Sequence, residues 1–158
     1  MGEQVDGLAL VEELAKKSAV CWLDYGVPAR SHPVWHVWID NAVVVVGNGD
    51  EQPLPSIDTE REVLVILRAK TSRHRLARCR AAVEVLPPWS RRWKAVLPAL
   101  LAARLNLPDP AGAAERWAAR SSVVRLVPLE VLESPGSLPT GSGAAAPVTS
   151  PATTVRRP

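Results

Sequence analysis

Apolar and polar positions along the chain alternate in blocks whose period changes. Leu8, Val11, Leu14, Ala15 and Ala19 recur at three- and four-residue spacing, and Glu12 stands four residues before Lys16. That spacing predicts a helix over 8–20 with one apolar stripe. Strand periods follow. VCWLDY at Val20–Tyr25 is a first strand, VWHVWID at Val34–Asp40 a second, and Ala42–Val46 a third. On the second strand Trp35, Val37 and Ile39 share one face, and Val34, His36 and Trp38 the other. Gly26-Val-Pro28 and Ser31-His-Pro33 bracket a loop, and Asp40-Asn41 is a tight-turn pair. The three strands read as an antiparallel meander.

Glu62–Leu86 holds the next pair. Val63–Leu67 is apolar without a break, as a strand covered on both faces would be. Cys79, Ala81, Val83 and Val85 alternate with Arg78, Arg80, Ala82 and Glu84, the period of a half-buried strand. Between them lies a basic bend with Arg68, Lys70, Arg73, His74 and Arg75. Pro87-Pro88 stops this hairpin. Trp89–Leu105 has a helical stripe interrupted by Pro98, which predicts a kink or a split. Ala111–Arg120 is a second short helix around Trp117. Ser122–Leu132 is a last strand, which Pro128 marks as an edge or bent one. The order predicts an α+β, mainly β fold: a small antiparallel six-stranded barrel with helices packed outside. Residues 1–133 form that domain. From 134 to 158 Gly, Ser, Pro, Ala and Thr dominate without apolar periodicity, which predicts a disordered tail.

Composition narrows the function classes. The chain has no Phe, one Tyr and six Trp, so small branched residues must fill the core. The net charge of +3 is carried by the hairpin bend and the Arg156–Arg157 end, too little for the broad basic face of a nucleic-acid binder. Cys21, Cys79, His32, His36 and His74 form no metal-ligand spacing. No stretch has the apolar length of a membrane span, and the first residues lack a leader pattern, so the expectation is a cytoplasmic protein with reduced thiols.

Candidate chemistry gathers in few places. Lys70, Ser72, Arg73 and Arg75 at one bend offer a point charge, a hydroxyl and two planar forks for phosphate oxygens; the alternative is a solvated hairpin tip. Arg78 and Arg80 share a strand face with Glu84, either an ion-pair lattice or an anion site. Gly47–Arg61 is a long unpatterned loop, the kind that carries function. In it Gln52 can meet a ring edge, and Asp50 or Glu51 can meet an arginine of a partner. Of Trp35 and Trp38, on opposite faces, one should enter the core and the other cover a ligand or meet a partner chain. His36 reads as structural. No nucleophile–base–acid set is present, which disfavours hydrolase chemistry.

The run G-V-P-A-R-S-H-P-V-W-H-V-W-I-D-N-A-V-V-V-V, the basic strands after it and the closing V-V-R-L-V-P resemble the FMN-binding split β-barrel family related to pyridoxamine 5'-phosphate oxidase. W-K-A-V-L-P-A-L-L-A-A-R-L-N-L-P-D-P, with R-W-A-A-R, is similar to uncharacterised actinobacterial members of that group. The resemblance spans about residues 8–133 and implies a split-barrel homodimer with flavin, FMN or the deazaflavin F420, in a groove between subunits. It implies oxidoreductase activity on a small-molecule substrate; the charge and apolar lengths above set the expectation of no membrane or nucleic-acid partner. By position, Arg30, Ser31 and Trp35 would come from the first hairpin, Gln52 from the loop, and Lys70, Ser72, Arg73 and Arg75 would supply charge. The chain departs from the pattern after the third strand, where the family has a helix with K-x-x-N-L-x-x-N-P and this sequence has GNGDEQPLPSIDTER. The alternative is a cofactor-free split barrel that keeps the dimer and the groove only.

Overall fold

The computed structural model describes residues 2–69, 76–104, 107 and 109–133. Lys70, Ser72, Arg73 and Arg75, and the tail expected over 134–158, lie outside the described residues. The elements are α1 (Gly2–Lys17), β1 (Val20–Tyr25), β2 (Arg30–Ile39), β3 (Ala42–Gly47), β4 (Glu62–Arg68), β5 (Leu76–Leu86), α2 (Arg91–Ala103), α3 (Pro110–Arg120) and β6 (Ser122–Glu133), with a 3₁₀ turn at Ile57–Thr59. The strands close into an antiparallel barrel in the order β1-β2-β3-β6-β5-β4. Each of the six described strands has a neighbour on both sides over part of its length, so none of them is an edge strand.

Two cores follow from the strand period. Cys21, Leu23, Val34, Val43, Val45, Val65, Leu67, Cys79, Val124 and Leu126 fill the barrel, joined by Val11, Leu14 and Ala15 of α1. Val44, Val46, Leu86 and Val123 point outward and meet Trp93, Val96, Leu100 and Trp117 of α2 and α3. The valine run of β3 is therefore buried throughout, its odd positions in the barrel and its even ones under the helices. Asp40 and Asn41, at φ 50° and 63°, make the β2–β3 turn, whose two left-handed residues match the twist of the strands.

Some expectations change. β4 is covered on one face only: Val63, Val65 and Leu67 are buried, whereas Leu64 and Ile66 are half-exposed outside. α2 runs unbroken through Pro98, contrary to a split; Pro98 lies on the exposed side, where the freed carbonyl of Lys94 reaches water. β6 sits between β3 and β5 rather than at an edge, and it bends. Pro128 faces Ala81 beside a register shift, beyond the last β3 pairing at Leu126. A missing N–H costs little where no ladder bond is due.

Candidate functional site

Two separate sites bring together chemistry-bearing residues. The first lies where the loop after β3 meets the α2–α3 hairpin. The Glu51 side chain is only 4% exposed. It accepts hydrogen bonds from the indole Nε1 of Trp35 at 2.9 Å, the indole Nε1 of Trp117 at 3.0 Å and the Nε of Arg104 at 3.1 Å. A buried carboxylate is tolerable only with such a set, because its lost hydration must be replaced donor for donor. The Gln52 Oε1 accepts from the backbone N–H of Trp35 at 3.1 Å. Asn48 closes the loop on itself through both ends of its amide, on Leu54. A small cavity of about 110 Å³ adjoins Glu51, Arg104, Arg116 and Trp117.

The second site is the outward face of β1, β4 and β5. Strand register sets Ser31, Asp24, Leu64 and Arg80 in one row, and Pro33, Trp22, Ile66 and Arg78 in the next. Trp22, Leu64 and Ile66 belong to neither core and are half-exposed, so they form an apolar strip. Charge rims it. The Arg68 guanidinium lies 5.7 Å from the centre of the Trp22 ring, within cation–π reach. Arg80 bonds Glu62 at 2.8 Å and Glu130 at 3.4 Å, and these carboxylates raise its pKa. The Oδ1 of Asp24 is buried on this face without a hydrogen-bond partner. An orphaned acceptor of this kind costs on the order of 1–3 kcal/mol, and a donor from outside the chain would remove that cost. β4 ends at Arg68 and β5 begins at Leu76, and the basic residues between them in sequence lie outside the described residues.

The residues carried over by resemblance therefore divide. Ser31 belongs to the outward face, and Arg30 stands beside it, exposed, opposite Tyr25. Trp35 and Gln52 belong to the Glu51 cluster and are bonded there. Glu84 pairs not with Arg78 or Arg80 but with Arg92 and Arg125. Trp38 packs on the barrel core and Trp35 on the helix core. His36 is buried with its Nε2 2.9 Å from the carbonyl of Ala15; burial pushes its pKa down. The two sites differ in what the sequence shows of them. The ligands of Glu51, Arg104 and Trp117, are more than fifty residues away and nothing local marks them. The apolar run of β4 did carry a signal: with one face uncovered, its outward half marks a surface built to meet something.

No protein-family model matches the sequence, and no curated protein matches it. Solved structures do match the fold. The chain is similar to an F420 reductase (17% identity, 76% of this chain and 94% of that one, TM-score 0.54). It is similar to an FAD-binding protein from Mesorhizobium loti (14% identity, 77% and 87%, TM-score 0.53). It is also similar to the heme storage protein HutZ from Vibrio cholerae (11% identity, 78% and 92%, TM-score 0.58). The fold is the split barrel. No helix among the described residues is long and apolar enough to cross a membrane.

A flavin fits the two sites unequally. The Glu51 site does not suit it: the N–H groups of Trp35 are taken, the amide oxygen of Gln52 is taken, and a buried carboxylate repels a phosphate. The outward face of β1, β4 and β5 does suit it, with an apolar strip for a flat ring and Arg68 at its rim.

Proposed function

We propose that this chain is a split-barrel flavoprotein, a homodimer and an oxidoreductase, that holds FMN or F420 against the outward face of β1, β4 and β5. The observation that carries the reading is the meeting on that face of an apolar strip, Trp22, Leu64 and Ile66, with the guanidinium of Arg68 at its rim. Trp22 and Ile66 would bear on the ring system, because stacking an indole adds to area burial. Arg68, with Lys70, Ser72, Arg73 and Arg75 between β4 and β5 in sequence, would hold the phosphate, where planar forks and a point charge complement its oxygens. A bound flavin supplies the hydride chemistry. The protein's part is to bind and orient it and to exclude water. A second copy would sit beside the bound flavin and close the groove over it. Solved relatives of the fold named for F420 and for FAD support a flavin-type cofactor.

The second reading is a cofactor-free split barrel, which the committed hydrogen bonds of Trp35 and Gln52 favour. Titrating purified protein with FMN, F420 and riboflavin, followed by flavin fluorescence, separates the two. The flavoprotein reading expects binding of FMN or F420, with Arg73→Ala plus Arg75→Ala weakening FMN far more than riboflavin. A colourless protein that leaves all three unquenched establishes the cofactor-free reading. Equal loss for FMN and riboflavin refutes the phosphate role.

A further inference from the structure

A third cleft lies on the opposite flank of the barrel, between α1, the β2–β3 turn and β6. Its volume is about 240 Å³, and Leu8, Glu12, Trp38, Asn41, Val127 and Pro128 line it. Three local features hold it open. Gly7 lets α1 approach β6 so closely that a Cβ there would lie 3.0 Å from Val131. The next stripe of the helix, Leu8 and Glu12, then becomes a wall. The bend of β6 at Pro128 forms the opposite wall. The tight turn at Asp40-Asn41 projects Asn41 at one end, beside Trp38.

The lining is mostly apolar, with two polar groups that the protein leaves unused. Neither the indole N–H of Trp38 nor the amide of Asn41 has a hydrogen-bond partner among the described residues. Both atoms stay reachable, since neither is among the buried orphans. The carboxylate of Glu12 is already met by Lys16 at 2.6 Å, so the rim offers no uncompensated charge. An apolar recess with a few convergent polar groups is the usual form of a small-molecule site.

We propose that this cleft binds a neutral aromatic molecule of one or two fused rings that carries a carbonyl. Size sets the ring count. An apolar cavity of about 150 Å³ takes benzene, so the larger recess here suits a substituted ring or a bicycle and excludes a flavin. Chemistry sets the rest: the indole N–H of Trp38 can only donate and so selects an acceptor, the Asn41 amide can donate to the same acceptor, and the paired rim leaves no counter-charge for an ionic ligand. The ring would lie on Trp38, Val127 and Pro128, and the carbonyl would accept from Trp38 or Asn41. This inference does not rest on flavin binding.

The test uses 1-indanone and indane, a matched pair differing in the carbonyl, titrated into the full chain while the indole N–H signals are followed by NMR. The expected result is that 1-indanone shifts the signal absent from Trp38→Phe, and binds about fivefold more tightly than indane. Trp38→Phe keeps a ring but loses the donor, so it should weaken 1-indanone about fivefold and leave indane unchanged. Asn41→Gly keeps the left-handed turn and tests the second donor, and Val127→Phe fills the recess and should abolish both ligands. Absence of any shift of the Trp38 signal at millimolar 1-indanone overturns the proposal, as does equal affinity for the two ligands in the unaltered protein, which needs no variant to fold.

Discussion

Replacing Glu51 by Ala should unpin the long loop from the helices. The carboxylate accepts from two indoles and one guanidinium, and its side chain is 4% exposed. Each hydrogen bond to a charged group contributes roughly 1.5–3 kcal/mol, so three would sum to about 4–9 kcal/mol were the donors then left dry. They would not be. Arg104 is 27% exposed and the adjoining cavity of about 110 Å³ admits water, so rehydration recovers much of the loss. The net cost should be about 2–4 kcal/mol, comparable to removing one partner of a partly buried ion pair. For a chain of this size that lowers the Tm by roughly 4–16 °C. Urea unfolding followed by far-UV circular dichroism gives the free energy directly. Glu51→Gln, which keeps the shape and one acceptor oxygen, should fall between Ala and the unaltered protein. A Glu51→Ala loss below about 1 kcal/mol would refute the claim that this cluster holds the loop, and would return 47–61 to the status of a free surface segment.

Other perturbations have equally definite outcomes. Gly47→Ala places a Cβ 2.5 Å from the Cδ1 of the fully buried Leu54, so it should destabilise by about 1–3 kcal/mol, read by thermal unfolding. Burial holds the pKa of His36 below its usual 6.5, so the unfolded chain binds the extra proton first. Its contribution to stability is complete above that value and is lost as pH falls below it. His36→Gln should flatten this acid-side slope in urea titrations run from pH 7.5 downward, and an unchanged slope would clear His36 of the effect. Cys21 and Cys79 are buried in the barrel; burial pushes the Cys21 thiol up, and Cys79 up to about 12. Neither should react with a disulfide reagent at pH 8 until denaturant is added, and rapid labelling of the native protein would contradict their burial.

Much of this architecture was legible in the residues because each strand announces its own two faces. The alternation in β2 separated Trp35 from Trp38 correctly, and the Asp40-Asn41 pair fixed the turn between β2 and β3. Coverage from outside was not legible. β3 and β4 present the same kind of apolar run, yet α2 and α3 cover the first and leave the outward half of the second open. Which run receives the helices depends on tertiary docking, and periodicity within one strand contains nothing about it. The same holds for Glu51. A carboxylate in a Gly- and Pro-rich loop looks solvated until α2 and α3 bring donors from afar. The extension of β2 back to Arg30, through Ser31-His-Pro33, escaped for a related reason: closure of the barrel extends a strand through turn-like residues wherever the partner, here β1, continues.

The doubly covered strand β3 has a mechanical consequence. Its side chains are shared alternately between the interior of the barrel and the cover formed by α2 and α3, so neither compartment can loosen without dragging on the other. The helical pair is therefore no detachable ornament: peeling it away would bare Val44 and Val46 to water and slacken the staves on either side. Amide protons of Val43–Val46 should accordingly be the last to exchange, released only when the whole molecule opens at once.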